Sequence, residues 1–309
     1  MDIKAPILFI AFNRPEPTEV SFSRIREIQP SKLYVAIDGP RKDKSKDIEL
    51  CKQVAEITKR VDWNSNVNYL IREENLGCRD AVVGAISWVL SQEDRVIIIE
   101  DDVVPEIAFF EFADDLLELY KDNEKIGMIS GNNYTPLENP DGDYFFSKYA
   151  HIWGWATWQR VWNKFDVSSP EMKNAIKGNN LKKLVKHTDE AKYFKWFFTH
   201  WHNKMVMKQA NAWGPFFFFF LFSKDFFSIV PNSNLAKNIG VEGLHTNKQS
   251  NRHYWPTDKN FRINNHPKQV AHSFDYDRHH FSLHIIEPIP PGVFRRILIK
   301  IKSLLKLKK

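Results

Sequence analysis

Pro6 to Phe12 reads PILFIAF, an unbroken apolar run of strand length. Continuous rather than alternating runs suit a parallel strand buried on both faces. Asn13-Arg14-Pro15 ends the run, and Pro15 and Pro17 stand near the start of a helix reaching about Gln29. Leu33 to Ile37 is a second strand, closed by Asp38-Gly39-Pro40. Ile48, Cys51, Val54, Ile57 and Val61 then recur at helical spacing with charges between them. Val67 to Ile71 is a third strand, and Val82, Val83, Ile86, Val89 and Leu90 mark a second amphipathic helix. Arg95 to Ile99 is a fourth strand, and Glu100-Asp101-Asp102 follows it directly. Pro105 opens a helix towards Tyr120, and Ile126 to Ile129 is a fifth short strand.

This alternation predicts βαβ units with right-handed crossovers, hence an α/β fold with a mostly parallel sheet flanked by helices. From about residue 144 the alternation fails and the sequence turns aromatic, with a helix-like stretch near Leu181 to Met207. Phe216 to Phe222 is the longest apolar run and reads as a buried helix or strand; a wall facing a lipid-linked acceptor is the minor alternative. It is far shorter than the roughly 20 residues a membrane span needs. The expected organisation is one domain over 1–287, a nucleotide-binding half (1–143) and an acceptor-side half (144–287), then a linker and tail (288–309).

Charge changes the picture only at that tail. The net charge is +6, but residues 295–309 alone carry seven cations and no acid follows Glu287. Removing those seven from the 44 lysines and arginines leaves 37 against 38 aspartates and glutamates. The body is therefore near neutral, and no basic groove for nucleic acid is indicated. In VFRRILIKIKSLLKLKK, Val293 to Lys309, apolar residues and cations fall on opposite faces of a helix. That is the pattern of an in-plane helix drawn to anionic lipid. Two cysteines without metal or disulfide spacing suit a reducing compartment. The opening residues lack the apolar core of a signal peptide. The expected location is cytoplasmic, peripheral at the inner face of the cell membrane.

The candidate chemistry sits where the strands end, because open α/β sheets bind ligands beyond the carboxyl ends of their strands. Three carboxylates directly after a buried strand repel one another unless a cation neutralises them. Mn²⁺ or Mg²⁺ takes such oxygen ligands, commonly one or two carboxylates plus substrate phosphates. A metal bridging a sugar-nucleotide diphosphate would stabilise the charge of the leaving group. Arg14 and Arg79 are candidates to assist it. Asp38 is open to two readings, an acceptor for a base edge such as the uracil N3–H or a turn residue of Asp-Gly-Pro. A dehydrogenase is disfavoured because no GxGxxG follows a strand. A sugar-1-phosphate nucleotidyltransferase ranks low because Asn13-Arg14-Pro15-Glu16-Pro17 has no glycine.

Pro6 to Ile10 through Asn13-Arg14-Pro15, Ala36 to Arg41, Asn75-Leu76-Gly77 and Ile98 to Asp102 together resemble the GT-A nucleotide-diphospho-sugar transferases. They are similar to the bacterial group related to N-acetylglucosaminyltransferase I. His151 to Trp158, Pro231 to Gly240 and His245-Thr246 also fit that pattern, so the resemblance spans roughly 5–247. It implies a GT-A fold and inverting transfer of a UDP-linked sugar to a cell-surface glycan or lipid-linked precursor. It implies Asp102 as direct metal ligand, Glu100 and Asp101 on the donor sugar and ribose, and Arg14 and Asp38 on the nucleotide. It makes Trp153-Gly154-Trp155 part of the donor and acceptor wall and brings His245 towards the diphosphate or metal. One departure stands out. The family's Trp-Asp pair, whose Asp lies where the general base belongs, reads Trp213-Gly214 here. Glycine takes no proton, so the base is unknown, and a non-catalytic sugar-nucleotide-binding or glycan-binding protein becomes the rival reading. His200, His202 and Asp225 are near in sequence without being compelling.

Overall fold

The computed structural model describes residues 3–135, 141–177, 181–240 and 256–286. Its first half alternates strand and helix: β1 (Ile7–Ala11), α1 (Pro15–Ile28), β2 (Lys32–Ile37), α2 (Ser45–Thr58), β3 (Asn66–Ile71), α3 (Gly77–Leu90) and β4 (Arg95–Glu100). Then come β5 (Val103–Pro105), α4 (Ile107–Leu119), β6 (Ile126–Ser130), β7 (Tyr144–Ser147) and β8 (Trp155–Trp158). Helices α5 (Gln159–Trp162), α6 (Met172–Lys177), α7 (Leu181–Leu184), α8 (Thr188–Val206) and α9 (Gly214–Ser223) follow. The order closes with β9 (Phe227–Pro231), β10 (Ala236–Asn238), α10 (Phe274–His280) and a π-helical turn, Phe281–Ile286.

Eight strands form one sheet in the order β3-β2-β1-β4-β8-β6-β9-β7. β3, β2, β1 and β4 run parallel, as do β6 and β9, whereas β8 is antiparallel to both neighbours and β7 is antiparallel to β9. The fold class is the expected one, α/β with a mostly parallel, Rossmann-like sheet flanked by helices. The two expected halves share this sheet, since β7, β8 and β9 come from beyond residue 143.

Burial explains the apolar runs. All five residues of β1 are buried, so both faces of the central sheet are covered. The pleat sends Phe9 to one face, against Phe22 of α1 at 5.3 Å between ring centres. It sends Leu8 and its register partner Tyr34 to the other, where Tyr34 meets Trp88 of α3 at 5.1 Å. Helices α1 and α3 therefore cover opposite faces. β3 lies at the sheet's edge and has no fully buried position, which is why its sequence is less apolar.

The phenylalanine run is helix α9, buried on nearly every side. Phe217, Phe220 and Leu221 belong to the main core. Phe216, Phe219 and Phe222 belong to a second core with Phe194 and Phe198 of α8 and Phe281. A helix buried all round needs no amphipathic stripe. It joins the two cores and presents no wall to a lipid.

Candidate nucleotide and metal site

The site is assembled at the carboxyl ends of β1, β2 and β4. Ile10 of β1 lies in register with Glu100 of β4, so the residues that follow each strand meet side by side. Arg14 precedes α1, whose first position is Pro15, a residue that needs no backbone donor there. From that corner its guanidinium reaches across to β4. Nη1 lies 3.0 Å from Asp102 Oδ2, Nε 3.4 Å from Asp101 Oδ2, and Nη2 pairs with Asp101 Oδ1. Three of its five N–H groups are thus engaged, leaving two.

Asp101 is buried. Its carboxylate also accepts from the Phe12 amide at 3.3 Å, and its carbonyl accepts from buried Ser21 Oγ of α1 at 2.9 Å. The structure thus spends Asp101 on holding Arg14, not on a face open to ribose or sugar. Asp102 differs. Its side chain is 17% exposed, and among the described residues hydrogen bonds reach only its Oδ2. Glu100, half-buried, makes no side-chain hydrogen bond among the described residues.

One guanidinium against three carboxylates leaves a charge deficit. Burial, then the charges of Asp102 and Asp101, push Glu100 up to about 8, with Arg14 opposing. Burial also pushes Asp101 up to about 6, although Arg14 pulls the other way. Burial works against Arg14's own charge, but the two aspartates outweigh it and hold its pKa above the ordinary value. Cys78, at the first turn of α3, faces the same cluster. Burial and the charges of Glu100 and Asp102 push its thiol up to about 12.

A second strand pair holds the far side. β5, which begins directly after Asp102, pairs antiparallel with β10, with Val103 opposite Asn238. The Ile239 amide donates to the Asp102 carbonyl at 2.7 Å. Gly240 then passes so close that a β-carbon there would stand 2.5 Å from Asp102 Oδ2. A side chain there would have to displace the Asp102 carboxylate or the segment itself, and nothing in residues 100–102 signals this neighbour. His245 lies outside the described residues, as do the linker and tail over 288–309.

Asp38 takes the turn reading. It is buried and accepts from the Leu76 amide at 3.0 Å, the Gly77 amide at 3.2 Å and Asn75 Nδ2 at 2.8 Å. Burial raises its pKa against the pull of these N–H donors. It braces the loop that starts α3, where Gly77 adopts a left-handed φ of 79°. Arg79 points elsewhere, to Asp80 at 2.7 Å and Met205 Sδ at 3.3 Å. It joins α3 to α8 and makes no contact with the triplet among the described residues.

Buried Asp47, in the first turn of α2, gave no signal in the sequence. It accepts from Arg41 Nε at 2.6 Å and Asn13 Nδ2 at 2.8 Å, tying the loops after β1 and β2 together. The Arg41 bond holds its carboxyl down at about 2.

Of the aromatic wall, Trp155 is corrected. It is fully buried in β8, between β4 and β6, and stacks on Trp213 at 5.4 Å. Half-buried Trp153 packs edge-on against Tyr134 at 5.2 Å. Gly154, at φ 66°, accepts from the Gly131 amide at 2.7 Å and packs near Val103, just beyond the triplet. Gly214 opens α9 with only the tip of Ile152 close, a β-carbon standing 2.9 Å from Ile152 Cδ1. Asp225 is exposed and paired with Lys148, and His200 faces outward on α8.

Among the described residues no three His, Cys, Asp or Glu side chains converge on a ready-made metal cage. The donor set still fits a hard cation, because it is made of carboxylate oxygens whose charge Arg14 alone does not balance.

No family model matches the chain, and no curated protein matches it. Solved structures that resemble it include HddC from Yersinia pseudotuberculosis, at 12% identity and a TM-score of 0.32 over 52% of this chain and 80% of that one. Mouse xyloside xylosyltransferase 1 in its apo form gives 10% identity and a TM-score of 0.36 over 70% and 80%. HddC complexed with GMP-PN gives 12% and 0.30 over 51% and 79%. Likenesses this distant decide nothing about the site, whose chemistry rests on its residues.

Proposed function

We propose that this chain is a metal-dependent glycosyltransferase that takes a sugar from a nucleotide-diphospho-sugar, UDP-linked, and passes it to a surface glycan or its lipid-linked precursor. The observation that carries the reading is the division of labour in the triplet. Asp101 fixes Arg14, and Arg14 in turn holds one oxygen of Asp102. The other Asp102 oxygen is left at the strand end, where a donor diphosphate would lie. Asp102 would hold Mn²⁺ or Mg²⁺, with phosphate and water oxygens completing the sphere, as these ions commonly bind. When bound, the cation would act as a Lewis acid on the leaving diphosphate. The two spare N–H groups of Arg14 would add charge-assisted bonds to phosphate. The Asp38 brace would shape the loop before α3, and Trp153 would border the sugar. Action at the inner face of the cell membrane is part of the reading and rests on the sequence of the tail.

A second reading has its own observation. Gly214 stands where the resemblance places the general base, and glycine takes no proton. A non-catalytic protein that binds a sugar nucleotide or glycan would need no base. Release of UDP from a panel of UDP-sugars, with Mn²⁺ or with EDTA, separates the two. Metal-dependent release from one donor supports the transferase. Metal-dependent binding without release from any donor, even with acceptor lipid supplied, favours the binding protein.

A further inference from the structure

The outer stripe of α8 has no role in the site. Glu190, Ala191, Phe194 and Phe198 form its buried stripe. The opposite stripe runs through Lys192, Lys195, Trp196, His200, Asn203 and Val206. Trp196 is 44% exposed, Val206 67% and Met207 56%, three large apolar side chains on one helix face and its end. From Ala191 to Lys224 there are five lysines and no acid over 34 residues. The acids nearest the helix are already paired, Asp189 and Glu190 with Arg278 and Asp80 with Arg79. Lys224 pairs with Glu171, but Lys192 and Lys195 stand on the outer stripe itself, and these cations beside exposed Trp, Val and Met match an anionic lipid surface in both charge and apolarity.

A second observation points the same way. The last described turn, Phe281–Ile286, packs on this helix. Phe281 lies 5.6 Å from Tyr193 and 5.9 Å from Phe194, and Ile285 joins the same core. Val293, where the basic amphipathic sequence begins, is eight residues past Ile285, within roughly 30 Å at full extension. The chain length alone therefore keeps the start of that sequence within this reach of the flank of α8.

We infer that the outer face of α8 is a membrane-docking surface for anionic phospholipid. Its C-terminal end adjoins α3 through Met205 and Arg79, and Asn211 beyond it packs at Gly77. Docking through Trp196, Val206 and Met207 sets the start of α3 close to the lipid. That serves a lipid-linked acceptor, a consequence that rests on the transferase reading, whereas the docking itself does not.

The test is co-sedimentation of the full chain with vesicles of phosphatidylglycerol and phosphatidylcholine in equal parts, or of phosphatidylcholine alone. Wild type should bind the mixed vesicles. The W196S/V206N/M207N variant should bind them at least roughly tenfold more weakly, with thermal unfolding unchanged because the three side chains are exposed. K192E/K195E should lose affinity for the mixed vesicles only. Wild-type affinity in both variants, with loss only on substituting tail cations, would overturn the inference and leave the tail as the sole contact. Failure of the wild type to bind would overturn it as well. Neither outcome depends on sugar transfer, so the function proposed above is judged separately.

Discussion

Arg14 Nη1 stands 3.0 Å from Asp102 Oδ2, while the rest of the same guanidinium grips Asp101. The pair is a clamp. The buried member fixes the arginine, and the arginine fixes the aspartate that stays accessible. Replacing Arg14 with Ala leaves two aspartates and Glu100 crowded at one strand end with no cation. The expected loss is about 2–4 kcal/mol in urea unfolding at neutral pH, below the cost of breaking a fully buried pair because the Arg14 side chain is 29% exposed. An unchanged midpoint would show that the clamp carries no weight.

Asp47 sets a pH dependence. Its folded carboxyl is held at about 2 against an ordinary 3.8. A depressed folded pKa means that the charged form is favoured by folding. The contribution is complete above about pH 4 and disappears as pH falls through about 2. Asp47→Asn should therefore cost about 1–3 kcal/mol at pH 7, the scale of hydrogen bonds to a charged group. The gap between variant and wild type should close between pH 4 and pH 2. A gap that persists at pH 2 would mean that the Arg41 bond is not its source.

Gly240 is the sharpest steric test of the site. Gly240→Ala would place a methyl group 2.5 Å from Asp102 Oδ2, forcing the carboxylate or the segment to move. Mn²⁺-dependent UDP affinity should fall at least roughly tenfold, with only a small change in unfolding, since surface substitutions usually stay within about 0.5 kcal/mol. Equal affinity in the variant would detach Gly240 from the site.

How much of this was legible in the sequence depends on range. β1, β2 and β4 could be read because burial on both faces demands continuous apolar runs, and the triplet could be placed because it follows such a run. The Phe216 to Phe222 run could be read as buried but not as helix, since a segment apolar on every side carries no period. The β5–β10 ladder joins residues 103–105 to 236–238, and three-residue strands leave no pattern. Trp155 looked like a sugar-stacking residue; its place inside β8, inserted antiparallel between β4 and β6, is a tertiary fact. Asp47 gave no signal because its partners Asn13 and Arg41 belong to other loops.

Gly214→Asp tests the missing base. Only the flexible tip of Ile152 stands in the way, and an acid in the first turn of a helix is favoured by its dipole. Stability should change by no more than about 1 kcal/mol. If Gly214 is what limits turnover, UDP release in the presence of acceptor should rise at least roughly a hundredfold, the lower end of general-base catalysis. A folded variant with unchanged turnover would place the base elsewhere or leave the protein a binder.

The most direct measurement is calorimetric titration of UDP into wild type and Asp102→Ala, each with Mn²⁺ and with EDTA. The expected result is binding by wild type that needs Mn²⁺ and is lost in Asp102→Ala, with both proteins equally folded. Binding that is the same with EDTA, or that survives in Asp102→Ala, would contradict the assignment of Asp102 as the residue that holds the metal against the diphosphate.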